Sequence, residues 1–196
     1  MTKQVVVIHG GNSFESYEEF LTYLESKEPS IERLKQKDWK EGLSEALGGE
    51  YDVLLPRMPN KDNAKYLEWK IWFEKLSQLA EDGVTLVGHS LGGIFLAKYL
   101  SEENFPKKIS KTILVSAPFD LNLEAFKLPN SLDKFVAQGG EITLFHSKDD
   151  RVVPFSELER YKSLLPNAHI EVFEDRGHFN QESFPEIIEI IKNRAN

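Results

Sequence analysis

The chain of 196 residues contains no cysteine, which excludes disulfides, thiolate metal sites and a cysteine nucleophile together. Cations are the scarcer charge: 24 Lys and Arg stand against 32 Asp and Glu, a formal net charge of −8. Neither a nucleic-acid-binding face nor a polybasic membrane anchor is therefore expected, because both need clustered cations to meet phosphate. No apolar run approaches the length that spans a bilayer. The amino terminus, MTKQVVVIHGG, offers only a short apolar stretch before a histidine, too little for a signal-peptide core. A cytoplasmic location is the expectation. Repeats, low-complexity tracts and Pro/Gly/Ser-rich linkers are also missing, and the length suits one domain over 1–196.

What is present is a repeated alternation. Short apolar runs rich in β-branched residues occur at Val5–His9, Tyr51–Leu55, Val84–His89, Lys111–Ser116, Glu141–His146 and Ala168–Phe173. Helix-like segments separate them: a long polar region from about Glu15 to Leu47, then Ala64–Ala80, Leu91–Glu103, Phe155–Leu165 and Phe184–Arg194. Buried parallel strands joined by crossover helices produce this pattern. The expectation is an α/β three-layer sandwich around a mostly parallel six-stranded sheet, with ligands at the carboxyl ends of the strands. In the second helix Trp69, Trp72, Phe73, Leu76 and Leu79 are expected to share a core-facing stripe. The irregular segment Ala117–Gly140 has room for a small flap over the site and not for a lid domain.

At the end of the third run stands GHSLG, Gly88–Gly92. This matches G-x-S-x-G, a strand-to-helix turn so sharp that the residues flanking the serine must be tiny. Ser90 is lifted clear of the sheet, and the amide of Leu91 opens the following helix, where it can face a developing oxyanion. Walker and G-x-G-x-x-G phosphate loops are absent. A serine hydroxyl needs a histidine base, and that base needs a carboxylate. FHSKDDRVVP follows the fifth run and offers Asp149 and Asp150; FEDRGHFN follows the sixth and offers His178. His178 is preferred to His9, His89, His146 and His169 because it alone lies in a Gly-containing loop after the last strand. His146 and His169, at strand ends, are expected to be packed or hydrogen-bonded in the core.

The order Ser, Asp, His and the segments VVVIHGG, GHSLGG, DDRVVP and RGHF resemble the α/β-hydrolase superfamily across nearly the whole chain. Within it the chain is most similar to the short serine hydrolases related to retinoblastoma-binding protein nine and their bacterial relatives, through RMPNKDNAKYLEW and the lack of room for a lid. The resemblance implies a minimal α/β-hydrolase fold. It selects Asp150, from D-x-V-V-P, as the acid, leaving Asp149 as a solvated or turn-capping carboxylate. It also implies that HGGNS supplies a second oxyanion donor, Gly11 first and Asn12 second, with His9 ordering the loop. Three consecutive glycines, as in some lipases, are not present.

The expected activity is a carboxylesterase-like serine hydrolase acting on small acyl substrates through Ser90, His178 and Asp150, without cofactor or metal. The alternative is a binding protein of the same fold with little turnover. Neither nucleic acid nor membrane is an expected partner, and no protein partner is indicated.

Overall fold

Six strands, β1 (Lys3–Ile8), β2 (Tyr51–Leu54), β3 (Val84–His89), β4 (Ile109–Val115), β5 (Glu141–Ser147) and β6 (His169–Phe173), form one sheet in the order β2-β1-β3-β4-β5-β6. Every neighbouring pair is parallel. The computed structural model describes residues 2–121 and 123–193. Eight α-helices accompany the sheet among these residues: α1 (Tyr17–Glu25), α2 (Ile31–Lys35), α3 (Trp39–Leu47), α4 (Tyr66–Ser77), α5 (Leu91–Glu102), α6 (Asp133–Gln138), α7 (Ser156–Leu164) and α8 (Pro185–Lys192). The expected end of the last helix at Arg194 lies outside the described residues. None of these helices is long and apolar enough to cross a membrane.

The inner strands are apolar on both faces because both are covered. In β1, Val6 and Ile8 pack with Trp69 and Phe73 of α4 and Phe95 of α5. Val5 and Val7 point the other way, into a second core with Trp39 and Leu43 of α3 and Ile187 of α8. The α/β three-layer expectation is met. The strand order reverses between β1 and β3, and in doubly wound sheets the crevice at such a reversal receives the ligand.

Three local expectations need correction. The polar region 15–47 is three helices. Ser16 caps α1 by accepting the Glu19 N–H, Asp38 caps α3 by accepting the Lys40 N–H, and Pro29 stands in the break before α2. On α4 the core stripe is narrower than expected: Trp69 and Phe73 are buried, while Trp72 and Leu79 are 40% and 71% exposed. At 100° per residue, position 72 falls on the flank of the face centred between 69 and 73, and Leu79 lies in the turn beyond the helix, which ends at Ser77. Among the described residues, 117–121 and 123–140 supply no flap over the cleft: none of them lines it, Phe126, Leu128, Leu132 and Phe135 are buried in the main core and α6 packs on α5.

Candidate active site

Ser90 lies between β3 and α5 at φ 54° and ψ −121°, a conformation that non-glycine residues rarely adopt. The surrounding glycines explain how the turn is tolerated. A Cβ on Gly88 would stand 2.5 Å from the Gly92 carbonyl oxygen, and one on Gly92 would stand 2.3 Å from that of Ile8. The Ser90 N–H is held by the Val115 carbonyl at 2.8 Å, and the Ser90 carbonyl accepts the Gly93 N–H at 2.8 Å. The serine is thus pinned at the carboxyl end of the sheet.

The three side chains picked from the sequence, far apart in the chain, meet here. His178 Nε2 lies 2.9 Å from Ser90 Oγ, and His178 Nδ1 lies 2.8 Å from Asp150 Oδ2. The Asp150 side chain is fully buried. Burial alone would push its pKa up. The hydrogen bonds from His178, Ser116 and Val153 outweigh that and hold it at about 2. A carboxylate anionic at neutral pH can only accept, so the His178 proton sits on Nδ1 and Nε2 keeps a lone pair for the Ser90 hydroxyl. Ser116, absent from the sequence reading, donates to the same Oδ2 at 2.5 Å, and the Val152 and Val153 N–H groups donate to Oδ1 at 2.8 and 3.0 Å. The one sequence signal for Ser116 is its place at the carboxyl end of the fourth apolar run.

The loop carrying His178 is fastened from several sides. Asp149 Oδ1 accepts the Gly177 N–H at 2.8 Å and the Ser147 hydroxyl at 2.6 Å. These bonds lower its pKa, the Ser147 bond most. Asp149 is exposed, but it is a clamp rather than a merely solvated neighbour. Trp39, at the start of α3, donates through Nε1 to the Phe179 carbonyl at 3.0 Å and through its amide to the Gln181 carbonyl at 2.9 Å. His89, the variable residue of the elbow, takes part as well. Its Nδ1 lies 3.2 Å from Lys40 Nζ and its Nε2 lies 2.9 Å from the His178 carbonyl. An ammonium only donates, so Nδ1 is the acceptor and Nε2 carries the proton that reaches the backbone of His178. Burial first, then the Lys40 charge, pushes the His89 pKa well down.

The other histidines lie outside the relay. His146 is buried and bonded to the Val153 carbonyl at 3.0 Å. His169 is not in the core: it is exposed at the start of edge strand β6 and pairs with Glu171 at 2.6 Å. His9 accepts the Met58 N–H on Nε2 at 2.9 Å, so its proton is on Nδ1, which donates to the Gly10 carbonyl at 2.7 Å. In a trans peptide the next N–H points away from that carbonyl, so His9 sets the direction of the Gly11 amide. The Gly11 N–H has no acceptor among the described residues. Gly10, not singled out in the sequence, packs still closer to the serine, since its Cβ would stand 3.1 Å from Ser90 Cβ.

Asn12 does not fill the expected role of second donor. Its N–H is taken by the Lys61 carbonyl at 2.8 Å and its carbonyl by the Ala64 N–H at 2.7 Å, and its side-chain amide donates to Tyr23 at 3.1 Å. It anchors the loop. The Leu91 N–H, at the first position of α5 and next in the chain to Ser90, lacks an intrahelical acceptor. An open cleft of about 930 Å³ leads to Ser90 and His178 between the segments after β1 and β2 and the start of α3. Among the described residues no group of three or more His, Asp or Glu is placed to hold a metal.

Known proteins resemble the chain in sequence and in fold. A profile of the serine hydrolase family matches residues 5–193. The chain is similar to serine hydrolase RBBP9 of Rattus norvegicus, 27% identical over 157 residues, which is 79% of this chain and 82% of that one. It is also similar to YdeN of Bacillus subtilis (strain 168), 26% identical over 189 residues, 93% of this chain and 88% of that one. The crystal structure of the ydeN gene product from B. subtilis superposes with a TM-score of 0.70 at 21% identity, covering 97% of both chains.

Proposed function

Because the chain belongs to the serine hydrolase family, we propose that it cleaves small carboxylic esters through an acyl-enzyme on Ser90. The observation that carries this reading is the continuous relay from the Ser90 hydroxyl through both ring nitrogens of His178 to Asp150, at 2.9 and 2.8 Å. In the first half-reaction Ser90 Oγ attacks the acyl carbonyl while His178 Nε2 takes the hydroxyl proton. The imidazolium, steadied by Asp150, then returns that proton to the departing alcohol. In the second half-reaction a water molecule attacks the acyl group, gives its proton to Nε2, and the carboxylic acid leaves as Ser90 regains its hydrogen. The amides of Leu91 and Gly11 are the proposed oxyanion donors. The open cleft, covered by no lid segment among the described residues, favours small acyl groups over long lipid chains.

A fluorophosphonate probe tests the reading, since it reacts with an activated serine and leaves a mass label on it. The label is expected on Ser90, and Ser90→Ala is expected to lower turnover of 4-nitrophenyl esters by on the order of 10³ or more, because such a relay acts as a unit. Turnover close to that of the native chain in Ser90→Ala rules the mechanism out. A native chain that neither labels nor turns over esters is a binding protein of this fold.

A further inference from the structure

Lys40 is a buried cation beside the cleft that the relay described above does not fully use. Its side chain is 11% exposed, and an ammonium is expensive to bury unless its charge is paired and its hydrogens are accepted. Asp38 Oδ2 takes one at 2.7 Å and His89 Nδ1 another at 3.2 Å. An ammonium has three donors. The third has no hydrogen-bond acceptor among the described residues, the ammonium's other neighbour being the face of the Trp39 ring, 4.9 Å away at its centroid, and Lys40 lines the same cleft as Ser90 and His178. Two further cations, Arg57 and Lys61, line that cleft from the segment after β2, both exposed and neither ion-paired among the described residues. Of the acidic groups there, Asp38 is already engaged by Lys40, which leaves Glu41 as the opposing charge. Three cations thus converge on the candidate site of a chain whose net charge is −8.

Resting on the ester-hydrolase reading, we propose that the cleft recognises esters that carry a carboxylate, which takes the free Lys40 donor while Arg57 and Lys61 attract it from the rim. A charge-assisted bond from a desolvated ammonium discriminates more strongly than one in water, because the cost of leaving that donor unmet falls on the neutral substrate. The carboxylate can sit on the acyl or the alcohol side of the ester, so two matched pairs are needed. On the acyl side, mono(4-nitrophenyl) adipate is compared with 4-nitrophenyl hexanoate. On the alcohol side, 4-acetoxyphenylacetate is compared with 4-methylphenyl acetate.

In at least one pair the charged ester is expected to have a kcat/KM about tenfold higher. That ratio is expected to fall toward one in Lys40→Met, and to fall in Arg57→Gln, where an exposed side chain is changed and folding is not at risk. The ratio separates recognition from positioning. If Lys40 acted only through His89 on the His178 loop, Lys40→Met would slow both esters of a pair alike and leave the ratio intact. A ratio near one in both native pairs, or one unchanged in both variants, overturns the assignment while the hydrolase reading stands. If no ester in either pair is turned over, this assignment fails, and the hydrolase reading fails with it only where the fluorophosphonate probe also leaves Ser90 unlabelled.

Discussion

Asp149 and Asp150 adjoin in the chain, yet one grips the backbone of the histidine loop and the other meets the imidazole. Asp150→Asn leaves the shape of the site intact but presents an amide that favours the wrong tautomer of His178. Turnover is expected to fall by about 10³–10⁴, as when the acid of such a relay is neutralised. Asp149→Asn keeps an acceptor oxygen for the Gly177 N–H, and the expected loss is about tenfold or less. Steady-state rates of the two variants on one ester check the order; a larger loss in Asp149→Asn would assign the acid wrongly. Asp150 stands near pKa 2, so a fall in activity between pH 7 and pH 5 does not come from its protonation. The sequence exposes Ser90, Asp150 and His178 because each sits in a short recognisable segment. It hides Ser116, Trp39 and Lys40. Trp39 and Phe179 are 140 positions apart, and Lys40 and His89 are 49 apart, so no local pattern announces their contacts.

At the scale of elements, the turn around Ser90 holds because backbone passes where side chains would be. Gly92→Ala would gain about 1 kcal/mol of helix propensity, but the new methyl group would meet the carbonyl oxygens of Ile8 and His9, at 2.3 and 2.6 Å. Main chain in the central sheet cannot give way cheaply, so a net loss of about 1–3 kcal/mol is expected, together with loss of activity as the elbow shifts. Gly42, within α3, has nothing within 4 Å of an added Cβ, and Gly42→Ala is expected to raise stability by about 0.5–1 kcal/mol. Urea unfolding of both variants measures this contrast, and a harmless Gly92→Ala would show that the elbow is not tightly packed. The same packing logic separates what sequence reveals of the elements from what it conceals. The strands are plain because both faces of the inner ones are apolar. Helix α6 is concealed because its six residues are too few to display a period, and its place on α5 is set by Phe135, whose partners lie elsewhere in the chain.

Over the whole molecule, burial of neutral titratable groups gives stability an acid limb and an alkaline limb. His9, His89 and His146 are all held below their ordinary value, chiefly by burial. Below about pH 6.5 the unfolded chain takes up protons that these rings refuse in the fold, so stability falls as pH drops through that range. Asp150 adds a second loss below about pH 4, where the unfolded carboxylate gains the proton that the folded one holds off to about 2. On the alkaline side, burial raises the pKa values of Tyr66, Tyr99 and Tyr161, Tyr99 to about 12. Above about pH 10 the unfolded tyrosines ionise while the folded ones do not, and stability falls again. Lys40, held below the usual lysine range by burial, pulls the other way with one group against three. The urea midpoint is therefore expected to be flat from about pH 7 to about pH 9.5 and to decline on both sides. His146→Gln keeps a donor for the Val153 carbonyl and removes one titrating ring, so the acid limb should become shallower in that variant. A midpoint that does not move between pH 7.5 and pH 5 would mean that these rings accept protons inside the fold, and the neutral tautomers that organise the loops around Ser90 would have to be redrawn.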